Sequence, residues 1–245
     1  MKVSEKVRFI SNWIKEYVNA MPSKTESLVI GISGGIDSSV SSTLSAMTGL
    51  KTIVLSMPIK QKSEQHDLSL KHQEWLVKNF KNVEAHTINL DKLFESFENS
   101  LSKFDNNHGM ANSRARLRMT TLYQVAASNK GIVVGTGNKV EDFGVGFYTK
   151  YGDGGVDISP IADCNKTDVW EMGRELNILK EIIDAAPTDG LWDDGRTDEG
   201  QLGLKYSELE EAMNNPNSPN RQKYEKIRKL NLHKMEPIPV CKIPN

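Results

Sequence analysis

The stretch Gly31-Ile32-Ser33-Gly34-Gly35-Ile36-Asp37-Ser38-Ser39 lies between a short apolar run, Leu28-Val29-Ile30, and a segment of helical spacing without a breaker, residues 40–47. It reads as a strand, a glycine-rich turn and a helix. Such a turn aims several backbone N–H groups and the positive end of a helix dipole at one point, and glycine lets an anion come close to the backbone. A phosphate is the expected guest. The loop has no lysine, which separates it from the Gly-x4-Gly-Lys-Ser/Thr loop of the common nucleotide hydrolases. Asp37 instead brings a carboxylate among phosphates. That arrangement is repulsive unless a hard cation intervenes, so Mg²⁺ held partly by Asp37 is expected. A second carboxylate stands in Thr136-Gly-Asn-Lys-Val-Glu141, where Glu141 could complete the metal site.

These residues need a scaffold that brings the turn after residue 31 beside the turn after residue 136. Residues 52–57 form a β-branched run stopped by Pro58, a polar helix follows at 65–79, and short strands are expected at 85–89 and 131–136. Val7, Ile10, Ile14, Tyr17 and Val18 recur at helical spacing and predict a first helix over 3–20. Leu93, Phe94, Phe97, Leu101 and Phe104 form a further helical stripe, and 114–128 another helix. Strands alternating with helices imply an α/β fold with a parallel sheet and right-handed crossovers, read as one domain over residues 1–245. Functional residues should collect beyond the carboxyl ends of the strands, near 33, 57, 89 and 136.

Periodicity is lost over 137–157 and resumes at 166–176 and 178–185. Residues 189–200 hold five acids, one arginine and three glycines, and with the residues up to 203 read as a mobile lid in which Trp192 could close over a nucleotide. Ser207 with Glu210 reads as a capping box, and Pro219 suits the start of a last helix ending near Leu230. Of the arginines at 114, 116 and 118, at least one should be structural, because alternate residues do not share a helix face. A net charge of −1 offers no global field for nucleic acid or an anionic membrane. The opening residues lack a long apolar stretch, so no membrane span or signal peptide is expected and the location is read as cytoplasmic. Cys164 and Cys241 are far apart, which argues against a zinc cage or a disulfide framework.

Ser-Gly-Gly-x-Asp-Ser resembles the signature of the N-type ATP pyrophosphatases. Taken with Ala115-Arg-Leu-Arg-Met119, Gly135-Thr-Gly-Asn-Lys, Thr149-Lys-Tyr-Gly-Asp-Gly-Gly155, Asp157-x-x-Pro160, Asn165-Lys166, Ala186-Pro-Thr188 and His233-Lys234, the chain resembles ammonia-dependent NAD⁺ synthetase along nearly its whole length. The resemblance implies an adenine-nucleotide α-hydrolase-like sheet, a homodimer, and a ligase that forms NAD⁺, AMP and pyrophosphate from deamido-NAD⁺, ATP and ammonia, the final step of NAD⁺ biosynthesis. It implies that Gly31, Ser33, Gly34, Gly35, Asp37 and Ser38 hold the ATP phosphates and the metal, with Thr136, Lys166 and Thr188 also on ATP. By the same carry-over Arg116, Lys150, Asp157, His233 and Lys234 contact deamido-NAD⁺. The segment 141–150 is one residue longer than in the best-known members, which leaves Glu141 or Asp142 for the metal; its unchanged spacing from Gly135-Thr-Gly favours Glu141.

The chemistry so implied makes separate demands. A nicotinate carboxylate is a poor electrophile and must first become an acyl adenylate, which calls for fixed positive charge such as Lys166. Ammonia must then be neutral, and Asp153 or Asp157 could take the proton from ammonium. A thiolating relative would need catalytic cysteines and a basic RNA surface. An amidotransferase would carry a glutaminase domain, for which 245 residues leave no room. A non-catalytic nucleotide-binding module would not need the motifs around Lys150, Lys166 and Thr188.

Overall fold

The computed structural model describes residues 1–61, 63–188 and 196–244. Among them four parallel strands form one sheet: β1 (Ser27–Gly31), β2 (Lys51–Ser56), β3 (Val83–Thr87) and β4 (Gly131–Val133), in the spatial order β3-β2-β1-β4. The chain leaves the central β1 toward one edge and later returns to its other side with β4. That reversal puts the loops after β1 and β4 side by side, which is where open parallel sheets collect ligands.

The inner strands β1, β2 and β4 are largely apolar on both faces because helices cover both, whereas the edge strand β3 exposes Glu84 and His86. Val29 pairs with Ile53 and Val133, and these point with Leu55 toward Phe94 of α4 (Asp91–Ser100) and Ala126 of α5 (Asn107–Ser128). Leu28, Ile30 and Ile132 point the other way. They meet Val7 and Ile14 of α1 (Val3–Ala20), Val40 and Leu44 of α2 (Ile36–Met47), and Val169 and Met172 of α6 (Lys166–Glu175). On the same side, Val54 packs with Leu76 of α3 (Ser63–Asn79). Leu28 and Leu44 are fully buried, and truncating either to alanine costs roughly 2–5 kcal/mol. After the short α7 (Lys180–Ile183), a separate core forms from Val140, Val145, Leu202, Tyr206, Leu209 and Tyr224. Its elements are α8 (Asp198–Leu202), α9 (Tyr206–Asn214), α10 (Arg221–Met235) and a wide helical turn, Lys139–Val145.

Several boundaries differ from the sequence expectation for local reasons. The strand expected at 85–89 lies at 83–87, and the one expected at 131–136 ends at Val133, after which Val134 bridges to Ile158. The helix expected from 114 starts at Asn107, where the Asn106 side chain accepts the Gly109 N–H at 2.8 Å. The aperiodic stretch 137–157 contains the wide turn Lys139–Val145, whose spacing is not that of an α-helix. Helix α7 fills only part of the expected 178–185. Ser207 and Glu210 do not form the expected capping box: α9 begins at Tyr206, Glu208 accepts the Lys205 N–H at 2.7 Å, and Glu210 instead binds the backbone N–H and hydroxyl of Thr167. Helix α10 continues five residues beyond Leu230. Of the lid expected at 189–203, residues 189–195, with Trp192, lie outside the described residues. The rest holds α8, opened by Thr197, whose hydroxyl accepts the Gly200 N–H at 3.1 Å. Among the described residues no helix is long and apolar enough to cross a membrane.

Candidate active site

The turn after β1 is folded around its own hydroxyls. Ser38 Oγ accepts the Ser33 N–H at 3.2 Å and lies 3.0 Å from both Ser33 Oγ and the Gly35 carbonyl. Gly34 has φ +89°, a conformation that side chains resist, and so it turns the chain into α2. Asp37 stands in the first turn of that helix. Beyond β4, Gly137 is pressed against Asp142, so closely that a Cβ there would lie 1.9 Å from Asp142 Oδ2. Asn138 ties the two turns together. Fully buried, it accepts the N–H groups of Val140 and Glu141 at 3.0 and 3.1 Å, and its amide donates to Asp37 Oδ1 at 3.0 Å.

Lys166 opens α6 and reaches between the two turns. Its ammonium donates to Asp37 Oδ2 at 2.5 Å and to Glu141 Oε1 at 2.9 Å, and the residue is 1 % exposed. The Tyr206 ring lies 4.8 Å from the ammonium, and its hydroxyl donates to Glu141 Oε1 at 2.6 Å and sits 3.2 Å from Asp198 Oδ2. Burial acts on all three ionic groups. It raises Asp37 above the usual carboxylate range, against the pull of Lys166. Glu141 feels the same burial, but the Lys166 ammonium and the Tyr206 hydroxyl outweigh it and hold the carboxyl low. For Lys166 burial favours the neutral amine, yet the two carboxylates prevail and keep it protonated. With both carboxylates ionised, the single ammonium balances only one of their two charges.

The loop after the wide turn builds a more open wall. Lys234 donates to the Tyr148 carbonyl at 2.7 Å; burial lowers its ammonium, an effect opposed by Asp153 and Asp142. Asp153 accepts the Thr149 N–H at 3.0 Å and stays accessible to solvent, yet protein crowds it on enough sides that desolvation raises its carboxyl. Asp142, beside it, is raised further by burial and by the charges of Glu141, Asp153 and Asp37. Asp157 uses both oxygens to anchor the loop, accepting the Val133 N–H at 2.7 Å and the Tyr123 hydroxyl at 3.0 Å.

Of the residues singled out from sequence, Ser33, Asp37, Ser38, Glu141 and Lys166 come together at the ends of β1 and β4, and Thr136 follows β4, partly buried. Arg116 and Lys150 meet on one side, where Arg116 Nε donates to the Lys150 carbonyl at 3.3 Å. His233 is exposed on α10, and Thr188 follows α7. The flanking arginines are structural: Arg114 covers the Phe94 ring at 5.1 Å, and Arg118 donates to the Met57 carbonyl at 3.0 Å, its guanidinium lowered to about 10 by burial. Asn138 and Tyr206 were not singled out, and Asp142, the alternative to Glu141 for the metal, stands beside Asp153 rather than on Lys166. Asn138 sat inside the quoted Gly-Asn-Lys motif, whereas nothing local distinguishes Tyr206. A cavity of about 450 Å³ lined by Phe9, Trp13, Phe143 and Pro160 contains none of the candidate residues.

The arrangement combines an anion-binding helix start, two converging carboxylates and a buried cation at a strand-order reversal. Comparison with known proteins points the same way. The NH₃-dependent NAD⁺ synthetase of Alkaliphilus metalliredigens is 36 % identical over 255 residues, covering 98 % of this chain and 99 % of that one. That of Carboxydothermus hydrogenoformans is also 36 % identical, over 214 residues, covering 85 % and 84 %. The structure of NMN synthetase from Francisella tularensis superposes with a TM-score of 0.89 at 33 % identity, covering 100 % of this chain and 99 % of that chain. With the NAD synthase family model matching residues 6–243 as well, the chain belongs to the NAD synthase family.

Proposed function

We propose that the chain is a ligase that amidates deamido-NAD⁺ with ammonia, using ATP and releasing NAD⁺, AMP and pyrophosphate. The observation that carries this reading is the Asp37–Lys166–Glu141 cluster held beside the glycine-rich turn. ATP lies with its phosphates against the N–H groups of that turn and the Ser33 and Ser38 hydroxyls, with Thr136, Lys166 and Thr188 on the same nucleotide. Mg²⁺ fits the cluster: two carboxylates converge on one cation, the small protein share that this ion takes beside phosphate oxygens and water. Asp37 and Glu141 would hold it. When bound, it supplies charge neutralisation at the phosphates.

The residues then divide the work. Arg116, Lys150, His233 and Lys234 hold the dinucleotide acid, so that one oxygen of its nicotinate carboxylate attacks the α-phosphorus in line with departing pyrophosphate. Lys166 stabilises the charge that builds on the phosphate oxygens. Ammonia next forms the C–N bond at the acyl carbon, and the C–O bond to AMP breaks. Asp153 takes a proton from ammonium: its carboxyl, raised by desolvation, is a better base than an ordinary one. Asp157, with both oxygens engaged, sets the loop that carries Asp153. The chain is read as one domain and as a cytoplasmic homodimer, supported by an outward face of α1 on which Phe9 is 61 % exposed beside Trp13 and Tyr17.

The likeness to the Francisella tularensis NMN synthetase favours a second reading in which the acid is the mononucleotide, with nicotinamide mononucleotide as product. Incubation with ATP, Mg²⁺ and ammonium, and with either deamido-NAD⁺ or nicotinate mononucleotide, separates the two. NAD⁺, AMP and pyrophosphate formed together, only in the full mixture and faster than the mononucleotide product, are expected. Faster mononucleotide amidation would favour the second reading, and no ATP turnover with either would contradict both.

A further inference from the structure

The geometry points to Lys166 as a displaceable counter-ion: its ammonium stands between the two carboxylates that would hold the metal, and metal binding would move it from the carboxylates onto the phosphates. This rests on reading Asp37 and Glu141 as metal carboxylates. The same ammonium bonds both, so Lys166 stands at the point on which their oxygens converge. One amine cannot bind both carboxylates at 2.5 and 2.9 Å, leave that point to a metal, and also reach ATP. The two roles must belong to two states.

Charge sets the direction of the exchange. With Lys166 in place, two buried carboxylates face a single positive charge. A divalent ion neutralises them fully and frees the ammonium for the phosphates, and in a partly desolvated site this difference is large. The construction also preserves the site when the lysine leaves. Each carboxylate keeps a neutral donor of its own: Asn138 on Asp37 Oδ1, fixed in turn by two backbone N–H groups, and Tyr206 on Glu141 Oε1. A lysine stem of four rotatable carbons can make the move, whereas the Asn138 side chain is fixed by two backbone N–H groups and the Tyr206 ring is rigid. Metal and nucleotide should therefore bind cooperatively, because the phosphates offer the displaced ammonium a new partner.

The test titrates Mn²⁺ alone, without nucleotide, into wild-type protein and Lys166→Met, with free metal read by electron paramagnetic resonance. The variant should bind Mn²⁺ at least about tenfold more tightly than wild type, because no resident cation competes. Equal or weaker binding by a folded variant would overturn the inference. If the variant does not fold, the wild-type protein answers by amine acylation read by mass spectrometry. Lys166 should be protected without metal and labelled when Mn²⁺ saturates the site, and protection unchanged by bound metal would overturn the inference. The metal reading is tested separately, by Mn²⁺ binding with a non-hydrolysable ATP analogue. Loss of that binding in Asp37→Asn supports the reading even where the exchange fails. Its absence in wild type would remove the reading, and the exchange with it.

Discussion

The two halves of the site are built differently. At the ends of β1 and β4 the charged groups are closed in on one another: Lys166 is 1 % exposed, and each carboxylate has a fixed donor. Along the loop 148–157 the groups face outward, with Arg116, Tyr151 and Asp153 exposed to solvent and Lys234 only half-buried by its surroundings. At the phosphate end side chains bind one another, so its carboxylates and their fixed donors are set by the fold. At the acid and ammonia end Arg116, Lys234 and Asp153 bind backbone groups and keep bonding capacity for a substrate. This is what two-step chemistry asks for. Activation of the carboxylate needs charges fixed in advance, since reorganising them in the transition state would cost the rate. The second step needs an entrance for ammonium and a base of adjustable protonation.

If that contrast is right, substitutions at the closed end should damage adenylation most. Lys166→Met should lower kcat by about 10²–10³-fold in a pyrophosphate-release assay, the scale of losing one transition-state donor. The closed end is also braced from below. His72, fully buried, lies 3.1 Å from Ser42 of α2, the helix that begins at the phosphate turn. Burial lowers its imidazole from 6.5 to about 4. The unfolded chain therefore takes up this proton at a higher pH than the fold does. Stability from His72 is complete above pH 6.5 and is lost as pH falls toward 4, by about 3 kcal/mol in all. Denaturant titrations across that range should slope accordingly, and His72→Asn should flatten the slope.

Substitutions in the open wall should separate the two steps. Asp153→Asn should reduce amide formation by about 10²-fold at limiting ammonium while leaving pyrophosphate exchange intact. Equal loss of both would erase the distinction between the two ends. The smallest effect belongs to Tyr206→Phe, which removes one donor from Glu141 and should cost about tenfold in kcat. A larger KM effect for Mg·ATP than for the acid would assign that loss to the closed end.

The same contrast governs what could be read without coordinates. The turn at 31–39 was legible because its task is done by backbone and by residues adjacent in sequence, so types and spacing suffice. The parallel sheet was legible for a like reason, since Val29, Ile53 and Val133 belong to runs buried on both faces. Tyr206 was not, because its meaning depends on a contact 65 residues away. The ion bridge through Lys166 was equally hidden, as it joins residues 129 and 25 positions apart. Sequence named all three partners but not the fact that the lysine stands where the metal was expected. The wide turn at Lys139–Val145 escaped because its period matches neither strand nor α-helix, and the true start of α9 escaped because Glu210 is engaged with Thr167 of another helix.

The most direct measurement follows oxygen. Deamido-NAD⁺ carrying ¹⁸O in its nicotinate carboxylate is turned over with ATP, Mg²⁺ and ammonium, and the products are analysed by mass spectrometry. Activation of the acid at the closed end requires one ¹⁸O in the phosphate of AMP, one left in the amide, and none in pyrophosphate. Label in pyrophosphate, or AMP without label while NAD⁺ accumulates, would contradict an adenylated carboxylate and the division of labour drawn from the structure.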